Sequence, residues 1–529
     1  MCGIFSIFEN EFDSEIVQTA FAMGKQRGPE FSKMLEFQNT ILGFHRLAIN
    51  GLDEASNQPF FIDNIVLICN GEIYNYKKLL NDNSITPHTN SDCEVIIHMY
   101  LLYGIHCALA SLDGVFAFVL LDLNINKVFI ARDPIGVRPL YSLKGKSTAF
   151  ASEIKSLIDL QYDSHSTIQH FKPGTYTEIL LQQFKIINSR ENIPYFLLLP
   201  PCSFVDYLSD YNILQTLRRN LIRSVEKRVL NSDRPIACLL SGGLDSSLIT
   251  TLVHKISEKN RTKPLETYSI GIEGSEDILN ARIVASFLKT NHHEVILSED
   301  EFFDAIPDVI FKIESYDVTT VRASIGNYLI ANHIANNSDA KVIFNGDGSD
   351  ELFGGYLYMK NSPSPYEFDK ETRRLLQEIH MFDLLRSDKS ISSNGLEPRT
   401  PFLDKNLVQF YMSLPNKVKF DYHKNGGKYM LRKAFEYDEI LPDKILWRKK
   451  EAFSDGVSKH DRSLFHIIQE KIQKTTSTNF TGIELEKHYY KQIYDKFYPN
   501  TENIITHYWM PKYTDTTDPS ARTITAYHD

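Results

Sequence analysis

The stretch PIACLLSGGLDSSLIT, residues 235–250, decides how the larger part of this chain folds. Its first six residues, Pro235 to Leu240, run without a charged or hydroxyl side chain, as in a strand covered on both faces. Two glycines and three serines follow within SGGLDSS at 241–247, and a helix is predicted to begin near Ser246. A strand that feeds such a loop at a helix N-terminus presents backbone N–H groups and hydroxyls to a phosphate. Asp245 would repel a bare phosphate. Its place in the loop makes sense if it holds Mg2+, a hard cation shared between carboxylate and phosphate oxygens. No Gly-Lys-Ser/Thr follows, so the loop is not of the lysine-containing Walker type. The plain alternative is a Ser/Gly loop with a helix cap.

Downstream, the apolar runs Tyr268 to Ile272, Val295 to Leu297 and Val342 to Phe344 alternate with helical stretches, which predicts a parallel α/β sheet. Ser298 with Glu301 three residues on is a capping-box signature for one of those helices. NGDGSDELFGGY at 345–356 follows the strand ending at Phe344. Strands of one parallel sheet point their C-terminal ends the same way, so this loop and the first face one crevice. Asp350 can then join Asp245 around the metal. Alone, a Gly/Asp-rich loop is more often a turn. After about residue 370 the chain reads as mostly helical, and the Thr- and Asp-rich segment 516–529 reads as a frayed, flexible tail.

Upstream, Ile213, Leu214, Leu217, Leu221, Val225 and Val229 recur at helical spacing, while Pro194, Pro200 and Pro201 interrupt any regular pattern. The boundary therefore falls near 195–208, between a domain over 2–195 and a second over 209–515. In the first, short β-rich segments such as Ile65 to Cys69, Val115 to Leu121 and Lys127 to Ala131 are bounded by Asn, Asp and Gly, the pattern of a layered α+β domain. Cys2 follows Met1 directly, and its small side chain should permit removal of that Met. One residue would then carry both a thiol and an α-amine titrating near about 7.7–8.0, a nucleophile beside its base. Asn70 and Gly71 come directly after an apolar strand and can point an amide and a backbone N–H at a developing oxyanion, although Asn-Gly is also a common hairpin turn. Arg46 is suited to fork onto an α-carboxylate, and Asp92 and Glu72 to hold an α-ammonium. Singly, each is more often a surface charge.

Together, MCGI at the start, RGP at 27–29, HRLAI at 45–49, NGEIYN at 70–75, SDCE at 91–94, RDPIGVRPLY at 132–141 and ASEIKSL at 151–157 resemble the N-terminal-nucleophile class II glutamine amidotransferases. The resemblance implies an αββα Ntn-hydrolase fold in which Cys2 attacks the glutamine amide, ammonia leaves and water hydrolyses the thioester. Cys2, Asn70 and Gly71 would be catalytic, and Arg46, Ile49, Asn70, Gly71, Glu72 and Asp92 would contact glutamine. Two departures stand out: Glu30 after RGP, where Asp is usual, and Gln26 before it, where His or Asn is often seen. Both should affect loop support more than chemistry.

The second half resembles the ATP-pyrophosphatases and, within them, the asparagine synthetases, on the two loops above and on ESYDVTTVRAS at 314–324, EPRTPFLD at 397–404 and WRKKEAFSDGV at 447–457. The resemblance spans roughly residues 2–510. It implies adenylation of the aspartate β-carboxylate, loss of pyrophosphate and displacement of AMP by ammonia. Leu240, Ile270, Asn345 and Gly346 would frame the nucleotide; Ser241, Gly243, Asp245 and Ser246 would cradle pyrophosphate; Thr319 and Arg322 would lie near aspartate. Lys450 matches a lysine that neutralises transition-state charge. Asp347 stands where many members carry Glu, one methylene longer.

Bulk properties agree with small-molecule chemistry. A chain of 529 residues exceeds what one core usually serves. With 57 basic and 67 acidic residues and no Lys/Arg block, composition offers no case for nucleic acid. The longest apolar stretch beside a motif, Gly114 to Leu121, is far shorter than the roughly 20 residues a membrane helix needs. The first residues carry acids rather than a basic, then apolar, secretory signal. Six cysteines without metal-ligand spacing read as reduced thiols, and the cytoplasm is the expected compartment. The expected partners are glutamine, aspartate and ATP with Mg2+, and a homodimer is the assembly carried forward. The rivals are an amidotransferase or lactam-forming relative with the same adenylation chemistry, disfavoured by VTTVRAS and FSDGV; an amidophosphoribosyltransferase, disfavoured by SGGLDSS and DGSDE; and an inactive regulatory homologue, which would be expected to lack Cys2, Asp245, Asp350 or Lys450.

Overall fold

The computed structural model describes residues 1–161, 165–202, 209–258, 263–424, 426–451, 453–459 and 462–524. Part of the sequence-predicted boundary, 203–208, lies outside them.

The N-terminal part contains two six-stranded antiparallel sheets. One orders Thr167–His170, Tyr141–Lys144, Thr148–Ala151, Gly3–Phe8, Thr40–Arg46 and Phe31–Phe37; the other orders Lys185–Pro194, Thr175–Gln182, Lys127–Arg132, Gly114–Asp122, Ile65–Ile73 and Phe60–Ile62. The period-2 alternation of side chains makes the layers. Ile4 and Phe8 of the first strand face Val66 and Ile68 of the second sheet. Phe5 and Ile7 between them turn outward against Val17, Ala20 and Phe21 of the helix Ser14–Ala22. Leu67 and Cys69 face the other way, onto Ile96, Ile97, Met99 and Tyr100 of the helix Val95–Ser111. The order of layers is thus helix, sheet, sheet, helix, the αββα arrangement expected.

The stretch Asp92–Ser111, unlike the Gly114 to Leu121 run, is long and apolar enough to cross a membrane, the only such helix among the described residues. Two facts set it in the domain. Gly104 breaks the helix with φ +73°, and half of the stretch is buried in the protein.

The C-terminal part carries a five-stranded, wholly parallel sheet in the order Asn291–Ile296, Glu266–Gly271, Ile236–Leu239, Val342–Phe344, Glu397–Arg399. Three of these strands match predicted apolar runs, and Asn291–Ile296 shares only Val295 and Ile296 with the predicted run Val295 to Leu297. The fifth, EPR, escaped prediction because it is three residues long and charged at both ends, and its Pro398 is tolerated on an edge strand. From Ile236–Leu239 the chain builds outward on one side, then returns to place Val342–Phe344 on the other. That topological switch point is where open parallel sheets bind ligands, and it brings together the loops after Leu239 and Phe344. The helix after the first loop is Leu244–Ser257, starting two residues before the predicted Ser246. The capping box is formed: Ser298 Oγ accepts from Glu301 N–H and the Glu301 carboxylate accepts from Ser298 N–H.

The expectation of a frayed tail over 516–529 is corrected through Ile524. Arg322 donates to Asp518 at 2.8 Å, Ser520 Oγ donates to Asp455 at 2.9 Å, and Arg522 donates to Glu451 at 2.7 Å, so polar residues that looked like solvated tail close onto buried charges. Ile524 packs with Tyr358, Phe382 and Trp509.

Buried ion pairs join the two halves. Arg27 meets Glu153 at 2.6 Å and Asp388 at 2.8 Å; Arg138 meets Asp388 at 3.5 Å and Glu397 at 3.4 Å; Arg399 meets Glu397 at 2.9 Å and Glu72 at 3.2 Å. Lys155 and Lys389 close the array on Glu153 and Glu314. Five cations face five carboxylates across the interface, which offsets the cost of burying each.

Candidate active sites

The Gly3–Phe8 strand opens with Cys2 at its N-terminal end, beside Asn70 of the strand Ile65–Ile73. The Cys2 backbone N–H donates to Asn70 Oδ1 at 3.1 Å, and the thiol lies 3.7 Å from Leu47 O. Asn70 Nδ2 is buried and has no hydrogen-bond partner, a donor held ready for a charge next to the thiol. Gly71 is required by packing, since a Cβ there would overlap Val115 O and Phe116. Ile49 is 2% exposed and lies in one apolar cluster with Met1 and Leu47. Burial pushes the Cys2 thiol up to about 11, the nearby chain-terminal ammonium opposing it only in part. Met1 is itself buried, with its amine 3.4 Å from Glu397. While Met1 is in place, Cys2 has an amide nitrogen and no base of its own.

Two expected glutamine contacts are occupied. Arg46 does not offer its fork to a substrate in this form: Nη1 donates to Asp53 O at 3.0 Å and Asn57 Oδ1 at 2.6 Å, and Nη2 to Asn50 O and Gly51 O, because the 50–57 loop turns its carbonyls inward. Glu72 is engaged at the interface in this form through one carboxylate oxygen. It accepts from Asn50 at 2.5 Å and Asn231 at 3.1 Å and pairs with Arg399; burial, then Glu397 and Asp92, hold its carboxyl well above the usual range. Asp92 accepts from Ile73 N–H at 2.6 Å, and burial raises it to about 6. The two departures near RGP brace the halves: Glu30 accepts from Ala48 N–H at 2.7 Å and pairs with Arg234, and Gln26 accepts from Lys312.

At the switch point of the parallel sheet a single cavity is lined by Leu240, Ser241, Gly243, Asp245, Ser246, Ile270, Thr319, Asn345, Gly346, Asp347, Asp350 and Lys450. Gly346 lets the two loops touch, since a Cβ there would come within 2.8 Å of Asp245 Cβ and Ser246 N. Ser241 Oγ and Ser246 Oγ lie 3.0 Å apart at the start of the helix Leu244–Ser257. Asp245 Oδ1 accepts from Ser349 Oγ at 2.8 Å. Lys450 donates to Asp350 Oδ2 at 2.6 Å. Burial alone would raise the Asp350 carboxyl; Lys428 and Lys450 outweigh it and hold it well below the usual range. Asp347 accepts from Arg386 at 3.1 Å, and its own N–H donates to Asn345 Oδ1 at 3.3 Å.

The helix Val318–Asn337 separates the two residues predicted near aspartate. Thr319, Ala323, Asn327 and Ile330 form its cavity-facing stripe, and Thr319 Oγ1 is buried without a hydrogen-bond partner. Arg322 lies off that stripe and is corrected: it pairs with Glu486 and Asp518, is buried, and does not line the cavity. Sequence reading missed Asp277, Glu351, Asp383, Arg386, Lys428 and Arg448, all cavity residues. Burial lifts Asp277 to about 7 against the pull of Arg448. Glu351 and Arg448 lie inside the quoted motifs at 345–356 and 447–457, and Lys428 follows the Gly426-Gly427 pair; the other three carried no signal.

Among known proteins, the glutamine amidotransferase domain family matches residues 1–189, and the asparagine synthase family matches 216–367 and 359–512. The glutamine-hydrolysing asparagine synthetase of Gallus gallus is 41% identical to the chain, that of Cricetulus griseus 40% and that of Homo sapiens 39%, each alignment covering 100% of this chain and 99% of the relative. With both halves matched in order and the relatives aligned from end to end, this chain belongs to the glutamine-hydrolysing asparagine synthetase family.

Proposed function

We propose that the chain makes asparagine from aspartate, ATP and glutamine, with the chemistry divided between the two sites described above. The observation that carries the synthetase half is the single switch-point cavity, which gathers both phosphate-type loops, Lys450 and the unpartnered Thr319 hydroxyl.

Loss of Met1 converts the Cys2 nitrogen into an α-amine that accepts the thiol proton, directly or through water. Cys2 Sγ then attacks the glutamine amide carbon, and the Asn70 amide and Gly71 N–H stabilise the oxyanion. Ammonia leaves and water releases glutamate. Asp92 takes the α-ammonium of glutamine, and Arg46 takes the α-carboxylate in exchange for its loop carbonyls, over the floor formed by Ile49. In the second site, Leu240, Ile270, Asn345 and Gly346 frame the nucleotide, while Ser241, Gly243 and Ser246 hold the β- and γ-phosphates. Thr319 orients aspartate, whose β-carboxylate attacks the α-phosphorus. Lys450 offsets the charge that builds up there, and Asp347 handles protons as ammonia displaces AMP.

Magnesium is proposed on Asp245 and Asp350. The pair fits: Asp245 Oδ2 and buried Asp350 Oδ1 converge on one point, each within 2.7 Å of the same ammonium. Mg2+ is commonly held by one or two carboxylates together with substrate phosphates. When bound, Mg2+ supplies charge neutralisation at the pyrophosphate leaving group. All six cysteines are free, in keeping with a reducing compartment, and we propose the cytoplasm and a homodimer, the latter to be checked by light scattering.

The test is to incubate the protein with ATP, Mg2+, aspartate and glutamine and to measure asparagine, AMP and pyrophosphate. Equal amounts of the three are expected, and ADP in place of AMP overturns adenylation. Cys2→Ala should lose glutamine hydrolysis and glutamine-driven synthesis while keeping synthesis from ammonia. Substantial glutaminase in that variant removes Cys2 from the role.

A further inference from the structure

Lys428 stands between the two carboxylates of the proposed metal position. Its ammonium donates to Asp245 Oδ2 at 2.6 Å and lies 2.7 Å from Asp350 Oδ1. Lys450 also reaches this pair, at 2.6 Å from Asp350 and 3.9 Å from Asp245, but from the mouth of the cavity: its side chain is 25% exposed, against 3% for Lys428.

The local backbone is shaped around this placement. Lys428 is in the left-handed region with φ +59°, directly after Gly426 at φ +134° and Gly427. For a residue with a Cβ that conformation is strained and persists where surroundings enforce it. The side chain runs over Gly355, where a Cβ would overlap both Lys428 Cε and Asp350 Oδ1. Two distant glycine-containing turns thus converge on one buried ammonium.

We propose that Lys428 is the resident counter-ion of the metal position: in the free enzyme it closes the space between Asp245 and Asp350 to a lone divalent cation, and it yields that space only to a cation arriving with a polyphosphate. This rests on the reading of Asp245 and Asp350 as metal ligands. An ammonium within 3 Å of both carboxylates leaves no room for a dication on the same oxygens, and like charges at that distance repel strongly. Buried as it is, the ammonium cannot simply swing into water; leaving the carboxylates requires another anion within reach. The phosphates of a nucleotide seated on the Ser241–Ser246 loop are that anion. Lys428 then passes from carboxylate to phosphate oxygen as the metal enters, and the protein keeps its carboxylates paired at every stage.

Mn2+ serves as the probe, with the free ion counted by electron paramagnetic resonance in the absence of nucleotide. Full-length wild type should bind Mn2+ weakly at this position. Lys428→Met should bind it at least about tenfold more tightly, and adding Asp350→Asn should erase the gain; Lys428→Gln gives the same comparison should the Met variant fold poorly. Unchanged Mn2+ affinity in the folded Lys428 variants, with Asp350→Asn still abolishing Mn2+–ATP binding, overturns the role of Lys428 and leaves the metal position standing. Mn2+–ATP binding that ignores Asp350→Asn moves the metal elsewhere and overturns both.

Discussion

Asp347 is one methylene shorter than the Glu that many members carry at its place, and Arg386 supports it there at 3.1 Å. Its carboxylate is therefore held by a guanidinium at the cavity wall and is not the cap of its own loop turn. Asp347→Ala should abolish asparagine formation from ammonia and spare glutamine hydrolysis. A residue that only shaped the turn would cost about 0.5–2 kcal/mol and leave synthesis intact, so near-normal turnover by the folded variant decides against a part in the chemistry. Asp347→Glu should be impaired as well, because Gly348 at φ +88° abuts Leu403 and leaves the loop little room to retreat. Asp92 gives a pH test. Burial raises its carboxyl to about 6, so it carries its charge above that pH and loses it below. Glutamine KM should rise as pH falls through about 6, and Asp92→Asn should show a high, pH-flat KM; a wild-type KM that stays constant from pH 5 to 8 would exclude this carboxylate from gripping the ammonium. Most motif-borne residues of the synthetase cavity were legible because they sit at a strand end or in a Gly-rich loop, whereas Thr319 and Lys450 were legible only through the resemblance. Arg386, Asp277 and Lys428 were not, since they reach the cavity from segments whose local pattern is that of ordinary helix or turn, and only the folded chain sets them beside Asp347, Arg448 and Asp245.

The helix Val318–Asn337 shows what a matched motif does and does not reveal about an element. VTTVRAS identified the helix as part of the site, yet three residues of spacing were enough to turn Arg322 off the cavity stripe and onto Glu486 and Asp518. Thr319→Val should raise the KM for aspartate with little change in melting temperature. Arg322→Ala should do the reverse: it strands two acids and should cost about 3–5 kcal/mol, read as a lower melting temperature, while the folded fraction keeps its aspartate KM. A large KM change in stable Arg322→Ala would return that residue to the substrate. The strands were read best where they are apolar throughout, as at Val342–Phe344. The EPR strand was invisible because its ends are charged, its stability coming from Val342–Phe344 alongside it, from Glu72 on Arg399, and from Arg138 and the Met1 amine on Glu397.

Across the whole molecule the helix Asp383–Ser392 reaches both sites. Arg386 holds Asp347 at one, while Asp388 and Ser392 hold Arg27, whose Nε donates to Cys2 O at 3.0 Å at the other. Asp388→Asn should lower the melting temperature and split a single calorimetric transition into two, because Arg27 and Arg138 lose a shared partner at the domain seam. One unsplit transition at the wild-type temperature would show that the seam is held by its apolar contacts alone. The two-domain organisation was legible from two sets of motifs, whereas the seam was not, since each of its charges looks like surface until its partner from the other half is known. The packed C-terminal segment has a further consequence, for synthesis on the ribosome. Asp518, Ser520 and Arg522 leave the exit tunnel after Arg322, Asp455 and Glu451, which stay without these partners until this segment has emerged. A nonsense codon just beyond position 515 would thus spare every motif by which the chain is recognised, and yield a protein whose glutaminase is whole and whose synthetase never closes.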